Sequence, residues 1–288
     1  MRTQVLDTST AAERANVARV EWLYSAGVNG RDAQVPLRLM APDFVQHNPL
    51  YGTGRDGFAA FLSGPMPAAF PDLHATIGLH LAQDDRVLSY VDWRGHHART
   101  GAEIELATAD LYRFRDGLLV EHWDVVEYHE IEPFGFGRAD QDQPVAPAAF
   151  VGTGLQRSNM GLLVRYIDEV KVQDYSRAHL YICRDFRQND PMIPPGLDGF
   201  KACCEIFLAM APDIHVVPRH LIAGREHIGA LWDWVGNQEV TGAPVTVPTS
   251  DVYRLEDGML VEHWDRVDYS YVKKLFGYHP KQLVMGGR

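Results

Sequence analysis

The sequence predicts an α+β protein made of two tandem copies of one domain. Three observations carry this: an internal repeat, helical periodicity at the start of each copy, and strand periodicity over the remainder. The repeat is the plainest. Residues 110–124 read DLYRFRDGLLVEHWD and residues 251–265 read DVYRLEDGMLVEHWD, identical at eleven of fifteen positions with an offset of 141. At the same offset PDLH (71–74) meets PDIH (212–215), and VDWRG (91–95) meets WDWVG (232–236). At an offset of 142, GRDGF (54–58) meets GLDGF (196–200), and DFVQHNP (43–49) meets DFRQNDP (185–191). Solenoid repeats run to roughly 20–50 residues, so a much longer period means that a whole domain is duplicated.

Residues 11–26 place Val17, Val20, Leu23 and Tyr24 on one helical face. Residues 160–172 do the same with Leu163, Tyr166, Ile167 and Val170. A shorter helix is expected from Asp32 to just before Ala41-Pro42, and further helices at 56–62 and 198–210. Strands follow at 73–82, 86–94, 103–114 and 118–128. The last two join through Asp116-Gly117, matched by Asp257-Gly258, a hairpin-turn signal. Helices segregated ahead of an antiparallel sheet define the α+β class. The domains are expected at 1–130 and 159–288, with 131–158, rich in Pro and Gly, as a linker.

Composition narrows the function. The chain has 288 residues, 46% apolar and 23% charged, an ordinary globular balance. Its 27 basic and 38 acidic residues leave a net charge of -11 without a basic block, which argues against nucleic acid and anionic membranes as partners. Cys183, Cys203 and Cys204 are odd in number and two are adjacent, so reduced thiols are expected, not a disulfide framework. There is no apolar run of signal-peptide length at the start and none of about 18 residues anywhere, so a cytoplasmic protein without a membrane span is expected.

The terminal hairpin gathers the candidate chemistry. With Arg115, Asp116 and Gly117 as a three-residue loop, Asp110 faces His122 and Tyr112 faces Val120. Asp110, Tyr112, His122 and Asp124 then share one face, with Arg113 and Glu121 paired on the other. A two-residue loop would slip the register by one and separate Asp110 from His122. A His–Asp pair is an acid/base unit in which the carboxylate orients the imidazole. The alternative is that the two only satisfy each other beneath the sheet.

His47 and Asn48 are expected in a loop after Phe44, where a rigid scaffold can present catalytic groups. Asn48 has the alternative of an Asx-turn or cap. The second copy carries Asn189 and Asp190 here, so the copies have diverged. The first is the preferred site, with Asp190, Asp251 and His263 as a rival. Asp92 and Asp233 sit in apolar strands beside matching tryptophans, either as bases or as paired strand-end carboxylates. Of His96 and His97 one should face inward, and Trp93, His97 and Asp124 are taken as pocket residues. HExxH, CxxC and GxSxG patterns are missing, and the glycine runs at 135–140 and 152–158 do not join a strand to a helix. No metal, nucleotide or other cofactor is expected.

The blocks DFVQHNP, FPDLH and DxYRxxDGxxVEHWD resemble the SnoaL-like, polyketide-cyclase-like branch of the nuclear-transport-factor-2-like superfamily, over nearly all of each repeat. The resemblance implies a cone: a curved antiparallel sheet wrapped by helices around an apolar pocket. It implies membership of a group of mostly cofactor-free cyclases, dehydratases, isomerases and aldol-type lyases, alongside non-catalytic members. It also implies pairing of convex sheet faces, within the chain or in a homo-oligomer. The tandem arrangement resembles the lyases that deformylate lignin-derived diarylpropanes. The expected function is a cofactor-independent lyase or isomerase acting on a hydrophobic, aromatic small molecule by retro-aldol C–C cleavage, such as deformylation, or by dehydration. His122, oriented by Asp110, would move the proton, while His47, Asn48 and Tyr112 polarise the substrate oxygen. A polyketide-type cyclase and a non-catalytic binding protein are the alternatives.

Overall fold

The computed structural model describes residues 3–7, 10–137, 153–171, 174–190 and 193–270, and the chain divides into two units between Gln143 and Pro144. The first unit runs β1 (Gln4–Leu6), α1 (Ala11–Trp22), a wide π-helical turn (Leu23–Asn29), α2 (Gln34–Leu39), β2 (Met40–Gln46), a 3-10 turn (Pro49–Tyr51), α3 (Gly54–Ser63), α4 (Pro65–Ala69), β3 (His74–Gln83), β4 (Arg86–His96), β5 (Glu103–Arg115) and β6 (Leu118–Val126). Its sheet order is β1-β3-β4-β5-β6-β2, antiparallel inside with the edge strands β1 and β2 running parallel to their neighbours. The second unit repeats the plan with α5 (Gly154–Tyr166), β7 (Ile182–Gln188), α6 (Gly196–Met210), β8 (His215–Ala223), β9 (His227–Asn237), β10 (Pro244–Glu256) and β11 (Met259–Val267), in the order β7-β11-β10-β9-β8. Each is an α+β cone whose helices close over the inner sheet face; among the described residues no helix is long and apolar enough to cross a membrane.

The helices start where the sequence supplies caps. Thr10 and Glu13 form a capping box at α1, and Thr153 and Gln156 another at α5. The expected stretches at 11–26 and 160–172 each begin as regular helix and end in a π-helical segment; residue 172 lies outside the described residues. Inside the first cone Val17, Val20 and Leu23 meet Val87, Val91 and Trp93 of the sheet in one core.

The matched PDLH/PDIH and tryptophan–glycine blocks form one clasp. The Asp72 carboxylate accepts the backbone N–H of His96 at 2.7 Å, and Asp213 that of Asn237 at 2.7 Å. The chain crosses so closely that a Cβ on Gly95 would lie 2.7 Å from the Leu73 Cα, and one on Gly236 2.9 Å from the Ile214 Cα. Only glycine fits there, which is why both copies keep it.

The terminal hairpin departs from the expected pairing. Its turn has two residues, Asp116 and Gly117, both at positive φ (53° and 78°), so Arg115 pairs with Leu118. By itself this would put Asp110 and His122 on opposite faces. Val120 is a bulge residue, however: Phe114 pairs with Leu119, but Arg113 pairs with Glu121. The inserted residue restores the parity, so Asp110, Tyr112, His122 and Asp124 do share a face. The residue opposite His122 is Tyr112, and the one opposite Asp110 is Asp124. Arg113 and Glu121 pair on the other face at 2.5 Å. The second copy repeats the bulge at Val261.

Residues 131–158 are folded at both ends. Ile131, Phe134 and Phe136 pack on the first core and α5 begins at Gly154, while residues 138–152 lie outside the described residues, as do 271–288. Among the described residues Cys183, Cys203 and Cys204 form no disulfide.

Candidate active site

The first centre is assembled by β2 and β6. They run parallel with Gln46 beside His122, and the chain then turns at Asn48, whose side-chain oxygen accepts the Leu50 N–H at 3.0 Å and caps the 3-10 turn. The Gln46 Oε1 accepts the backbone N–H of Asn48 at 3.0 Å. A backbone N–H can only donate, so the amide oxygen faces inward. The His122 Nδ1, 3.0 Å from the same oxygen, must therefore carry a hydrogen. The Nε2 lies 2.9 Å from Asp110 Oδ1, and a second proton is shared in that contact. The Thr108 hydroxyl donates to Asp110 Oδ2 at 2.6 Å and itself accepts the Trp93 indole N–H at 3.1 Å. Asn48 Nδ2 donates to both oxygens of Asp124 at 3.0 and 2.8 Å.

The Asp124 carboxyl is raised to about 6, chiefly by burial and also by the Asp110 charge, against the opposing effects of His122, Asn48 and Tyr51. Burial also drives the hydroxyls of Tyr24, Tyr51 and Tyr112 well above the usual phenol range, so they stay protonated. Tyr24 and Tyr112 are bonded to each other at 3.0 Å, which uses one of their two hydroxyl protons and leaves the other for a ligand. The Tyr112 ring stacks on His122 with centroids 4.7 Å apart.

These groups face a cavity in two lobes. The inner lobe, about 20 Å³, is lined by Asp110, Tyr112, His122, Tyr24, Phe58 and Leu62 among others. The outer, about 50 Å³, is lined by Phe70, Leu106, Val126 and Phe136. Tyr51, Phe61, Met66 and Trp93 border both and divide them. As drawn, each lobe has room for water only, and an aromatic ligand needs these dividing side chains to move.

Several expected site residues lie elsewhere. His47 is on the far face of β6, stacked on Trp123 at 4.7 Å with its Nε2 4.0 Å from Glu121; burial lowers its pKa. Strand alternation sends it there, since Glu121 and Trp123 oppose His122 and Asp124. Asp92 alternates with Trp93 and is not among the cavity walls, and Asp233 pairs with Arg219 at 3.3 Å. His97 packs on Phe134 at 4.3 Å and bonds Thr100, behind the outer lobe. Asn48 bonds Asp124, which lies beside His122 and Asp110; neither Asn48 nor Asp124 lines the cavity. Trp93 and Tyr112 are walls as expected. The residues missed were Gln46, Thr108, Tyr24 and Tyr51. The first three have partners at the matching positions Gln188, Thr249 and Tyr166, a signal visible in the repeat.

The second centre keeps the outline. His263 Nδ1 lies 2.8 Å from Gln188 Oε1 and its Nε2 2.5 Å from Asp251. A cavity of about 50 Å³ is lined by Asp251, Tyr253, His263, Asp265, Phe207 and Trp234, with Cys203 and Cys204 on α6. Asp110, His122 and Asp124 approach one another within 4.8 Å, as do Asp251, His263 and Asp265, the spacing a cation site needs. Hydrogen bonds among these side chains and with Asn48 or Asp190 account for that closeness, so neither trio is read as a metal site.

Residues 20–122 match the SnoaL-like domain family, and residues 161–274 match the SnoaL-like polyketide cyclase family. The chain is a tandem pair of SnoaL-like domains. Solved structures similar to it each span one domain's length. A candidate SnoaL-like polyketide cyclase from Jannaschia sp. CCS1 is 19% identical over 43% of this chain and 93% of its own, with a TM-score of 0.40. IdmH, a candidate polyketide cyclase from Streptomyces antibioticus, is 28% identical over 41% and 96%, with a TM-score of 0.37. AclR, a candidate hydroxylase from Streptomyces galilaeus, is 24% identical over 43% and 97%, with a TM-score of 0.38. No curated protein matches the chain.

Proposed function

We propose that the first SnoaL-like domain is an acid/base enzyme that makes or stabilises an enolate on an apolar, aromatic small molecule, using its own side chains. The observation that carries this is the His122–Asp110 pair, held in one tautomer by Gln46 and opening onto an aromatic cavity. Asp110 takes a proton from the substrate, with His122 holding the proton count of the pair. The spare hydroxyl proton of Tyr24 and Tyr112 bonds the oxygen on which negative charge develops. The apolar body of the substrate occupies the outer lobe once Tyr51, Phe61 or Met66 has rotated; Met66 is the most adaptable of these.

A retro-aldol lyase and an aldol-type polyketide cyclase run this chemistry in opposite directions, and the walls suit both. Either one must exchange the α-hydrogens of a ketone. The test is deuterium wash-in at the α-carbon of propiophenone in D2O, followed by proton NMR with the native chain. Exchange no faster than in buffer sinks the reading.

Gln46 acts through His122 as a positioning residue. Gln46→Met keeps the length and removes the acceptor, so the ring is free to change tautomer. Wash-in should slow by about 10- to 100-fold, the size usual when a histidine loses its orienting partner. Nitrogen NMR of His122 should then show both tautomers; a single unchanged tautomer would refute the assignment.

A further inference from the structure

One wall of the second cavity is a helix face on which the two copies differ. Phe200, Cys203, Cys204 and Phe207 recur on α6 at the i, i+3, i+4, i+7 spacing of a single helical face, and all four line the cavity. At an offset of 142 the first three match Phe58, Phe61 and Leu62 of α3, which line the inner lobe of the first domain. Two bulky apolar walls are thus replaced by two thiols. The space in front of the His–Asp pair is also larger, about 50 Å³ against about 20 Å³.

The two thiols are not equivalent. Cys204 is buried in the hydrophobic core and packs toward Val170, Leu208 and Ile214, the usual place of a small apolar thiol. Cys203 is half-buried on the cavity wall, in the company of Asp251, His263 and Gln188. Gln188 Oε1 faces His263 Nδ1 at 2.8 Å, while its Nε2 is shielded from solvent without a hydrogen-bond partner among the described residues. A buried amide N–H left unbonded is costly, and a ligand carbonyl oxygen would satisfy it.

We propose that the second domain is a covalent capture site, in which Cys203 adds to the β-carbon of a small apolar α,β-unsaturated ketone. This goes beyond the reading of the first domain and does not rest on it. A soft sulfur nucleophile, an N–H for a carbonyl oxygen, and the apolar walls of Phe200, Phe207 and Trp234 together select that class. Asp251 and Asp265 line the same cavity and disfavour a standing thiolate, so the thiol must lose its proton as it attacks. The Cys203 Sγ bonds the β-carbon while its proton passes to Asp251, whose charge is steadied by His263 at 2.5 Å. The C=C electron pair moves toward the carbonyl, and Gln188 Nε2 donates to the enolate oxygen. Asp251 then returns the proton to the α-carbon. Thiol and enone have become one thioether, with no oxidant or reductant.

The test treats the full chain with cyclohexenone in the presence of N-acetylcysteine and follows each cysteine by peptide mass spectrometry. Cys203 should gain the adduct at least about 10-fold faster than Cys183, on β7 outside the cavity, and than N-acetylcysteine, because the enone is held beside it. Asp251→Asn should slow the Cys203 reaction by about 100-fold, the loss of a positioned base. Gln188→Met should slow it by about 10-fold, the worth of one hydrogen bond. An unchanged rate at Cys183 shows that each variant keeps its fold. Three results would overturn the proposal: Cys203 reacting no faster than N-acetylcysteine in the native chain, the adduct forming on Cys204 instead, or both variants staying within about twofold of the native rate.

Discussion

Replacing His122 by glutamine should slow α-hydrogen exchange by about 100- to 10,000-fold, the range typical of a lost acid/base group, while the fold persists. Glutamine can still reach toward Gln46 and Asp110, so the buried polar atoms around it keep partners. What it cannot do is hold a proton between them. The Nε2–Asp110 contact at 2.9 Å and the Nδ1–Gln46 contact at 3.0 Å make His122 the one group joined to both sides of the centre. The loss should therefore appear in kcat more than in KM, because the cavity walls are unchanged. His96→Gln is the control: His96 is exposed and paired with Asp72 at 2.7 Å, and exchange should stay within about twofold of native. Equal exchange in native and His122→Gln chains would remove His122, the partner of the base Asp110, from the mechanism. If both variants lose exchange together, the activity reports stability instead.

Much of this centre was legible in the sequence, and the failures have physical causes. Strand parity alone puts Asp110 with Tyr112 and His122 with Asp124; that all four share one face was expected from a three-residue turn and arises instead from a two-residue turn and a bulge at Val120. Each shifts the register by one, so they cancel in parity but not in pairing. β2 was hidden because MAPDFVQ has a proline in its middle and breaks the apolar alternation expected of a strand. Reading that stretch as a loop made His47 look available, whereas a strand ending at Gln46 directs His47 outward onto Trp123. Gln46 itself was printed in both copies, in DFVQ and DFRQ, but a lone glutamine carries no motif until its register beside His122 is known. Tyr24, Tyr51 and Thr108 enter the site from three separate elements, and only tertiary packing brings them together.

The two domains show what a single substitution does to such a centre. In the first, Asn48 holds both oxygens of Asp124, and a donor without charge offsets part of the cost of burying that carboxylate. In the second, Asp190 adds a carboxyl instead. The scaffold is otherwise retained, including the His–Asp contact, the glutamine behind it and the bulge that sets the register. The duplicated fold therefore offers two electrostatic settings of one geometry.

The cost of the first setting is measurable at Asp124. A carboxyl raised to about 6 in the fold, against the ordinary value of 3.8, favours folding fully only below about pH 4. That contribution is lost as pH rises through 6, because the unfolded chain ionises the group freely and the folded chain does so against burial. At pH 8 the deficit is about 3 kcal/mol. Asp124→Asn has the same shape, can still accept from Asn48, and carries no charge. It should match the native chain in stability near pH 4 and exceed it by about 3 kcal/mol near pH 8, while losing much of the exchange activity. Amide hydrogen exchange of β5 and β6 peptides, read by mass spectrometry as a variant-to-native ratio across this range, reports the first domain separately from the second. A ratio that does not change with pH would mean that Asp124 ionises as easily folded as unfolded, and the charge behind His122 would have no role. A variant that gains stability with pH yet keeps full exchange would place Asp124 in the fold alone. The expected outcome is a gain in stability together with a loss of rate, which is the signature of a charge kept buried for chemistry.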